Sequence, residues 1–209
     1  MQALQSVVNV IRGFMRFMLG RLAKTLDVIS RSKITPNSIT ALSLVAHFPL
    51  AFLIATRHNF WSAGFLFVFG LLDAVDGPLA RLQNRSTSKG MLLDSITDKI
   101  KEVLVYIGAA YAFMGTAHVY YAVWAVAACG VSLLVSYVNA WGEAMVAKQK
   151  LKGGKVNQTF REGLMTYDVR MTVFFFGLLA NRMDISVVFI AVVSLFTALG
   201  RVRSIMQRL

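Results

Sequence analysis

The sequence predicts an all-α polytopic membrane protein: six transmembrane helices preceded by an amphipathic juxtamembrane helix. Three observations predict it. Apolar residues make up 56% of the 209-residue chain and charged residues only 15%, against about 45–50% and about 25% in soluble domains. Mean hydropathy is +0.60. Polar side chains are therefore too few to clothe a water-facing globule. Six stretches approach the roughly 20 apolar residues that cross a bilayer core: Ile39–Ala55, Trp61–Leu82, Met91–Met114, Val119–Val146, Leu164–Ala180 and Ile185–Val202. Finally, the basic residues are unevenly placed between the stretches.

Residues 1–33 are expected to form the interfacial helix. Val7, Val8, Val10, Ile11, Phe14, Phe17, Met18 and Leu22 make an apolar stripe beside Arg12, Arg16, Arg21 and Lys24, a pattern suited to the headgroup level. The same stripe would equally serve a helix packed on other helix ends. No uninterrupted apolar core or cleavage motif marks a signal peptide. Pro36, in Ile34–Thr40, turns the residue before it away from helix, so one helix ends there and Asn37 or Ser38 caps the next. The six-span bundle is then expected over residues 38–205, within a single domain covering 1–209.

Orientation follows from charge. The amino-terminal segment, the loop after the second span (Arg81, Arg85, Lys89), the loop after the fourth (Lys148 to Arg161) and the tail (Arg201, Arg203, Arg208) are basic. The alternate loops hold only Arg57 with His58, His118, and Arg182 with Asp184. Lys and Arg resist translocation, so both termini and the basic loops are expected on the cytoplasmic side. The net charge of +12 follows this topology, which argues against nucleic-acid binding. Cys129, alone in an apolar span, implies no disulfide. Trp61, Tyr120, Tyr121 and Trp124 fall at span ends and read as interface anchors; His47 and His118 read as polar residues near helix ends.

The chain has ten acidic residues, and Asp73, Asp76, Asp94, Asp98 and Glu102 fall within thirty positions that otherwise read as membrane helix. A charge at the bilayer centre costs at least ~2.5–3.5 kcal/mol on insertion scales, so such a cluster is a candidate site. Asp73, Asp76 and Ala80 share one face of the second helix, and Asp94 and Asp98 one face of the third. A short loop makes these helices antiparallel neighbours. Four hard oxygen ligands with no histidine nearby suit Mg²⁺, Mn²⁺ or Ca²⁺ and disfavour zinc; one or two ions would fit. The alternative is structural pairing of the aspartates with Arg81, Lys99 and Lys101.

The run Asp73-x-x-Asp76-Gly77-x-x-Ala80-Arg81, then eight residues, then Gly90-x-x-x-Asp94-x-x-x-Asp98 resembles the motif of the CDP-alcohol phosphotransferase family. Eight specified residues at fixed spacing far exceed a lone glycine motif in specificity, and the amphipathic start, Pro-Asn entry and six spans extend the resemblance over the whole chain. It implies phospholipid synthesis: transfer of a phosphatidyl or other phospho-alcohol group from a CDP-linked lipid to the hydroxyl of a small, polar, anionic acceptor, with release of CMP. It implies that Asp73, Asp76, Asp94 and Asp98 hold one or two Mg²⁺ or Mn²⁺ ions, Asp98 also serving as general base. Gly77, Ala80, Arg81, Thr87, Asn37 and Ser38 would meet the CDP group, Gly90 would permit close packing of the third helix, and the enzyme would be a homodimer working among membrane lipids. Pro78 should kink the second helix beside Asp76.

For the acceptor, Ser136-Tyr137-x-x-Ala140-x-x-Glu143 resembles inositol phosphate-using members of the family. Asn139 stands where those commonly have a basic residue, and Gly163–Arg170 keeps only the first glycine and last arginine of their fifth-helix entry. Arg161, Arg170 and Asn139 are the acceptor-side candidates. A phosphatidylglycerophosphate synthase-type enzyme using glycerol 3-phosphate is the alternative within the family. An intramembrane metal or proton transporter is the alternative outside it, though ion transport has no use for the Gly77, Ala80, Arg81 and Gly90 set.

Overall fold

The computed structural model describes residues 17–150 and 165–207. The described part of a first helix, α1, covers 17–30. It is followed by α2 (Pro36–Ala55), α3 (Asn59–Leu82), α4 (Ser88–Met114), α5 (Tyr120–Lys150), α6 (Tyr167–Leu179) and α7 (Met183–Met206). No strand occurs among the described residues. Four helices, α2, α3, α5 and α7, are long and apolar enough to cross a membrane. Two expected spans do not meet that standard. α4 is long enough at 27 residues but carries Lys89, Asp94, Asp98, Lys99, Lys101 and Glu102, the last just past its midpoint. α6 has 13 residues, about 20 Å at 1.5 Å per residue.

The described residues divide into two compact units, the first comprising those up to Pro49 with Phe65–Lys101, the second Leu50–Gly64 and those from Glu102 onward. In the first, Ala23 of α1 is buried with Ile39, Val75 and Leu79, and Leu19, Leu26 and Leu72 pack around them. The described part of α1 thus packs on neighbouring helices while Phe17, Met18, Val28 and Ile29 stay exposed. Residues 1–16, which hold the rest of the predicted amphipathic stripe, lie outside the described residues. After α1 the chain reverses through Arg31 and Ser32, both at positive φ. Gln83 pins this corner, its Nε2 donating to Asp27 Oδ1 at 2.7 Å and Ile34 O at 2.9 Å.

The cap of α2 differs from expectation. Pro36 is the first helical residue, where its missing N–H is harmless. The cap is Thr35, whose Oγ1 accepts from the Ser38 backbone N–H at 3.2 Å, so the bundle starts before residue 38. α3 runs unbroken through Pro78.

In the second unit, α7 packs against α5 and α6. Small residues (Ala109, Ala112, Ala125, Ala128) are buried and let helix backbones approach closely, as membrane bundles require. At Gly108 a Cβ would stand 2.6 Å from the Ala51 carbonyl oxygen, so α2 and α4 touch there only because no side chain intervenes. The polar ties are few and buried. Arg170 meets Glu102 through two hydrogen bonds, at 2.6 and 2.9 Å, and Tyr106 meets Ser132 at 3.3 Å. Large apolar side chains such as Phe48, Phe52, Phe67, Ile107 and Phe196 are exposed, as lipid-facing residues are in a protein of this composition.

Candidate metal centre

The site lies within the first unit, where the second half of α3 and the first half of α4 bring their acidic faces together. Helical spacing puts Asp73, Asp76, Gly77 and Ala80 on one side of α3. Asp73, Asp76 and Asp94 each offer one carboxylate oxygen, and these three oxygens lie within 4.8 Å of one another. That spacing allows a single cation to touch all three.

Two further groups fix the carboxylates. Thr40 of α2 donates its hydroxyl to Asp76 Oδ2 at 2.7 Å, orienting one ligand from a third helix. Lys101 of α4, fully buried, donates to Asp73 Oδ2 at 2.6 Å and pairs with Asp98 Oδ1 at 2.7 Å. The structural-pairing alternative therefore holds for part of the cluster: one lysine bridges Asp73 and Asp98, and Asp98 is not among the three carboxylates within 4.8 Å of one another. It does not account for the remainder. Four carboxyl groups face one ammonium, Asp76 and Asp94 have no ion pair among the described residues, and Asp73 Oδ1 is buried without a hydrogen-bond partner. A buried oxygen without a donor is costly, and a hard divalent ion satisfies it while balancing the charge. The residues fit such an ion.

Around the triad, Thr87 Oγ1 accepts from the Gly90 backbone N–H at 3.0 Å, capping α4. A Cβ at Gly90 would meet Thr87 Oγ1 at 3.2 Å and Asn37 Oδ1 at 3.5 Å, so two predicted donor-side residues converge on the predicted packing glycine, where only glycine fits without displacement. The Arg81 guanidinium reaches within 3.8 Å of where a Cβ on Gly77 would lie; the side chain covers the glycine and is itself exposed. Ser38 is occupied locally, its hydroxyl 2.6 Å from that of Thr35.

The acceptor-side candidates fall in the second unit. Arg170 is buried; besides its Glu102 pair it donates from Nη1 to Met165 O at 2.6 Å. The bonds to Glu102 hold α6 to α4. Asn139 donates to Glu143 Oε1 at 3.2 Å, and Arg161 lies outside the described residues. Sequence reasoning missed Thr40, and it named Lys101 as a pairing partner of the aspartates without seeing that it bridges two of them. Lys101 had a signal: at three residues from Asp98 and seven from Asp94 it shares their helix face. Thr40 had none, because its link to Asp76 spans 36 positions.

Fold and site together define a helical membrane protein with a divalent-cation-type carboxylate centre near helix ends. A sequence profile described as CDP-alcohol phosphatidyltransferase matches residues 33–200, and the chain belongs to that family. It is 27% identical over 129 residues to the phosphatidylinositol phosphate synthase of Cutibacterium acnes, covering 60% of this chain and 61% of that one. The chain thus spans about three-fifths of that relative's length. It is also 27% identical over 204 residues to the archaetidylinositol phosphate synthase of Pyrococcus horikoshii, covering 97% and 98%. The fold matches crystal structures of Mycobacterium tuberculosis phosphatidylinositol phosphate synthase at 21% identity. With CDP-DAG bound, that protein gives a TM-score of 0.74 over 90% of this chain and 92% of the other. In complex with manganese and citrate it gives 0.75 over 90% and 88%.

Proposed function

We propose that this protein transfers a phosphatidyl, or related phospho-alcohol, group from a CDP-linked lipid to the hydroxyl of an inositol phosphate-like acceptor, releasing CMP. The observation that carries this reading is the convergence of Asp73, Asp76 and Asp94 within 4.8 Å inside a motif that otherwise fits a nucleotide diphosphate. Family membership supports the reaction type. The names of the two relatives, and the Ser136–Glu143 stretch, support the acceptor.

Asp73, Asp76 and Asp94 would hold Mg²⁺ or Mn²⁺, which when bound neutralises charge developing on the diphosphate. Arg81, lying over Gly77, contributes paired N–H donors to diphosphate oxygens. Asn37, Thr87 and Gly90 shape the neighbouring wall. Asp98 takes the proton of the acceptor hydroxyl as its oxygen attacks the phosphorus bearing the lipid alcohol; the pyrophosphate P–O bond breaks and CMP departs with its electron pair. Lys101 positions Asp98 by holding its Oδ1. Arg170, engaged by Glu102, acts as a positioning residue, which leaves Arg161 and Asn139 to meet the acceptor. In this reading α4 and α6 complete six spans, both termini are cytoplasmic, and the chain works as one domain.

The test is CMP release by the purified protein with radiolabelled CDP-diacylglycerol, Mg²⁺ or Mn²⁺, and an acceptor panel of inositol phosphate, glycerol 3-phosphate, inositol and serine. Inositol phosphate should give a kcat/KM at least ~10-fold above the others, a difference of about 1.4 kcal/mol in transition-state binding. Preference for glycerol 3-phosphate would reassign the acceptor. Silence with every CDP-linked donor, together with cation flux in liposomes, would replace the enzyme by a transporter.

A further inference from the structure

A cavity of about 420 Å³ opens within the second unit, and none of its lining residues belongs to the carboxylate motif. Its polar wall comes from three loops: Arg57 between α2 and α3, His118 between α4 and α5, and Asn181 with Arg182 between α6 and α7, together with Asn59 and Asp184 at the helix starts. Four helices apolar enough to span a membrane begin or end here, at Ala55, Asn59, Tyr120 and Met183. The cavity therefore lies at headgroup level. Phe60, Trp61 and Tyr120 are exposed beside it, at 73%, 63% and 52%, as aromatic residues at a membrane–water boundary are.

The cavity is built rather than incidental. Asn59 Nδ2 donates to Asn181 Oδ1 at 2.5 Å, tying two loops across 122 positions. Asn181 and Arg57 both sit at positive φ, 55° and 61°, uncommon for residues other than glycine. Arg182 forks onto Asp184 with both bonds at 3.2 Å, while Arg57 makes no ion pair among the described residues. Two guanidinium groups against one carboxylate leave one positive charge uncompensated. Asn59, itself buried on the cavity wall, keeps Oδ1 without a hydrogen-bond partner, an acceptor that a ligand hydroxyl would satisfy.

We infer that this cavity binds the headgroup of a phospholipid carrying one net negative charge and a hydroxyl, its phosphodiester between Arg57 and Arg182. One charge matches one charge, and the chains of such a lipid would lie along the apolar faces that begin at this level. The site is independent of the proposed transferase reaction, and so is its test.

The full chain, purified in neutral detergent, is heated with added phosphatidylglycerol, phosphatidylcholine or free glycerol phosphate. Phosphatidylglycerol should raise Tm by about 3 °C or more, with little change from the other two. Arg57→Asn, which keeps a residue tolerant of positive φ, should abolish the shift, as should Arg182→Gln. An equal shift with phosphatidylcholine, or one that persists in both variants, would overturn the proposal. A comparable shift with free glycerol phosphate would overturn the lipid assignment in favour of a soluble anion.

Discussion

Each aspartate in the carboxylate cluster has a different set of neighbours, and the consequences of substitution differ accordingly. Asp73→Asn, Asp76→Asn or Asp94→Asn removes one of the three proposed ligands; each is expected to weaken Mn²⁺ binding in electron paramagnetic resonance titrations and to lower turnover at least ~100-fold. Thr40→Val leaves all three carboxylates but frees Asp76, and an orienting partner of this kind typically matters by roughly 10-fold in metal affinity. Equal effects from Thr40→Val and Asp76→Asn would mean that Asp76 does not ligate. Lys101 is the only cation within hydrogen-bonding reach of Asp73 and Asp98 among the described residues. Lys101→Met should lower the Tm of the metal-free protein and enlarge the rise in Tm on adding Mn²⁺, because the ion becomes the sole neutralising charge. An unchanged Mn²⁺ response would show that the lysine and the ion act on separate groups.

Between elements, the tie between α4 and α6 is a fully buried ion pair. Glu102 accepts two hydrogen bonds from Arg170, whose Nη1 also donates to Met165 O at the entrance of α6. Removing one member leaves the other charged and alone, which typically costs about 3–5 kcal/mol, whereas replacing both by apolar residues is often neutral. Glu102→Gln and Arg170→Met are each expected to lower Tm sharply, and Glu102→Leu with Arg170→Met to recover most of it. If activity stays low in a double variant of restored stability, Arg170 contacts the acceptor as well. Close helix approach is the other requirement at this scale: Gly108 lies where a methyl group would collide with the α2 backbone.

Across the whole molecule, apolar composition and four span-grade helices make this an integral membrane protein of the CDP-alcohol phosphatidyltransferase family. The proposed arrangement has an even number of spans with basic loops on one side. Cysteines introduced at Arg57 and at Arg85, in a Cys129→Ser background, should react with an impermeant thiol reagent from opposite faces of sealed vesicles. Labelling of both from one face would mean that α3, the helix between them, does not cross, and would remove the six-span arrangement.

Composition and local periodicity, which belong to short stretches of chain, determined the helical membrane class, the pairing of two acidic helix faces and the family. Asp73, Asp76 and Asp94 were legible because a helix repeats every 3.6 residues whatever surrounds it. Tertiary structure alone decided that Thr40 holds Asp76, that Lys101 reaches Asp73 on the neighbouring helix, and that Arg170 pairs with Glu102. Those outcomes join residues up to 68 positions apart. In a low-dielectric interior every buried charge must take whatever partner the packing brings within about 3 Å, and no local pattern specifies which one that is.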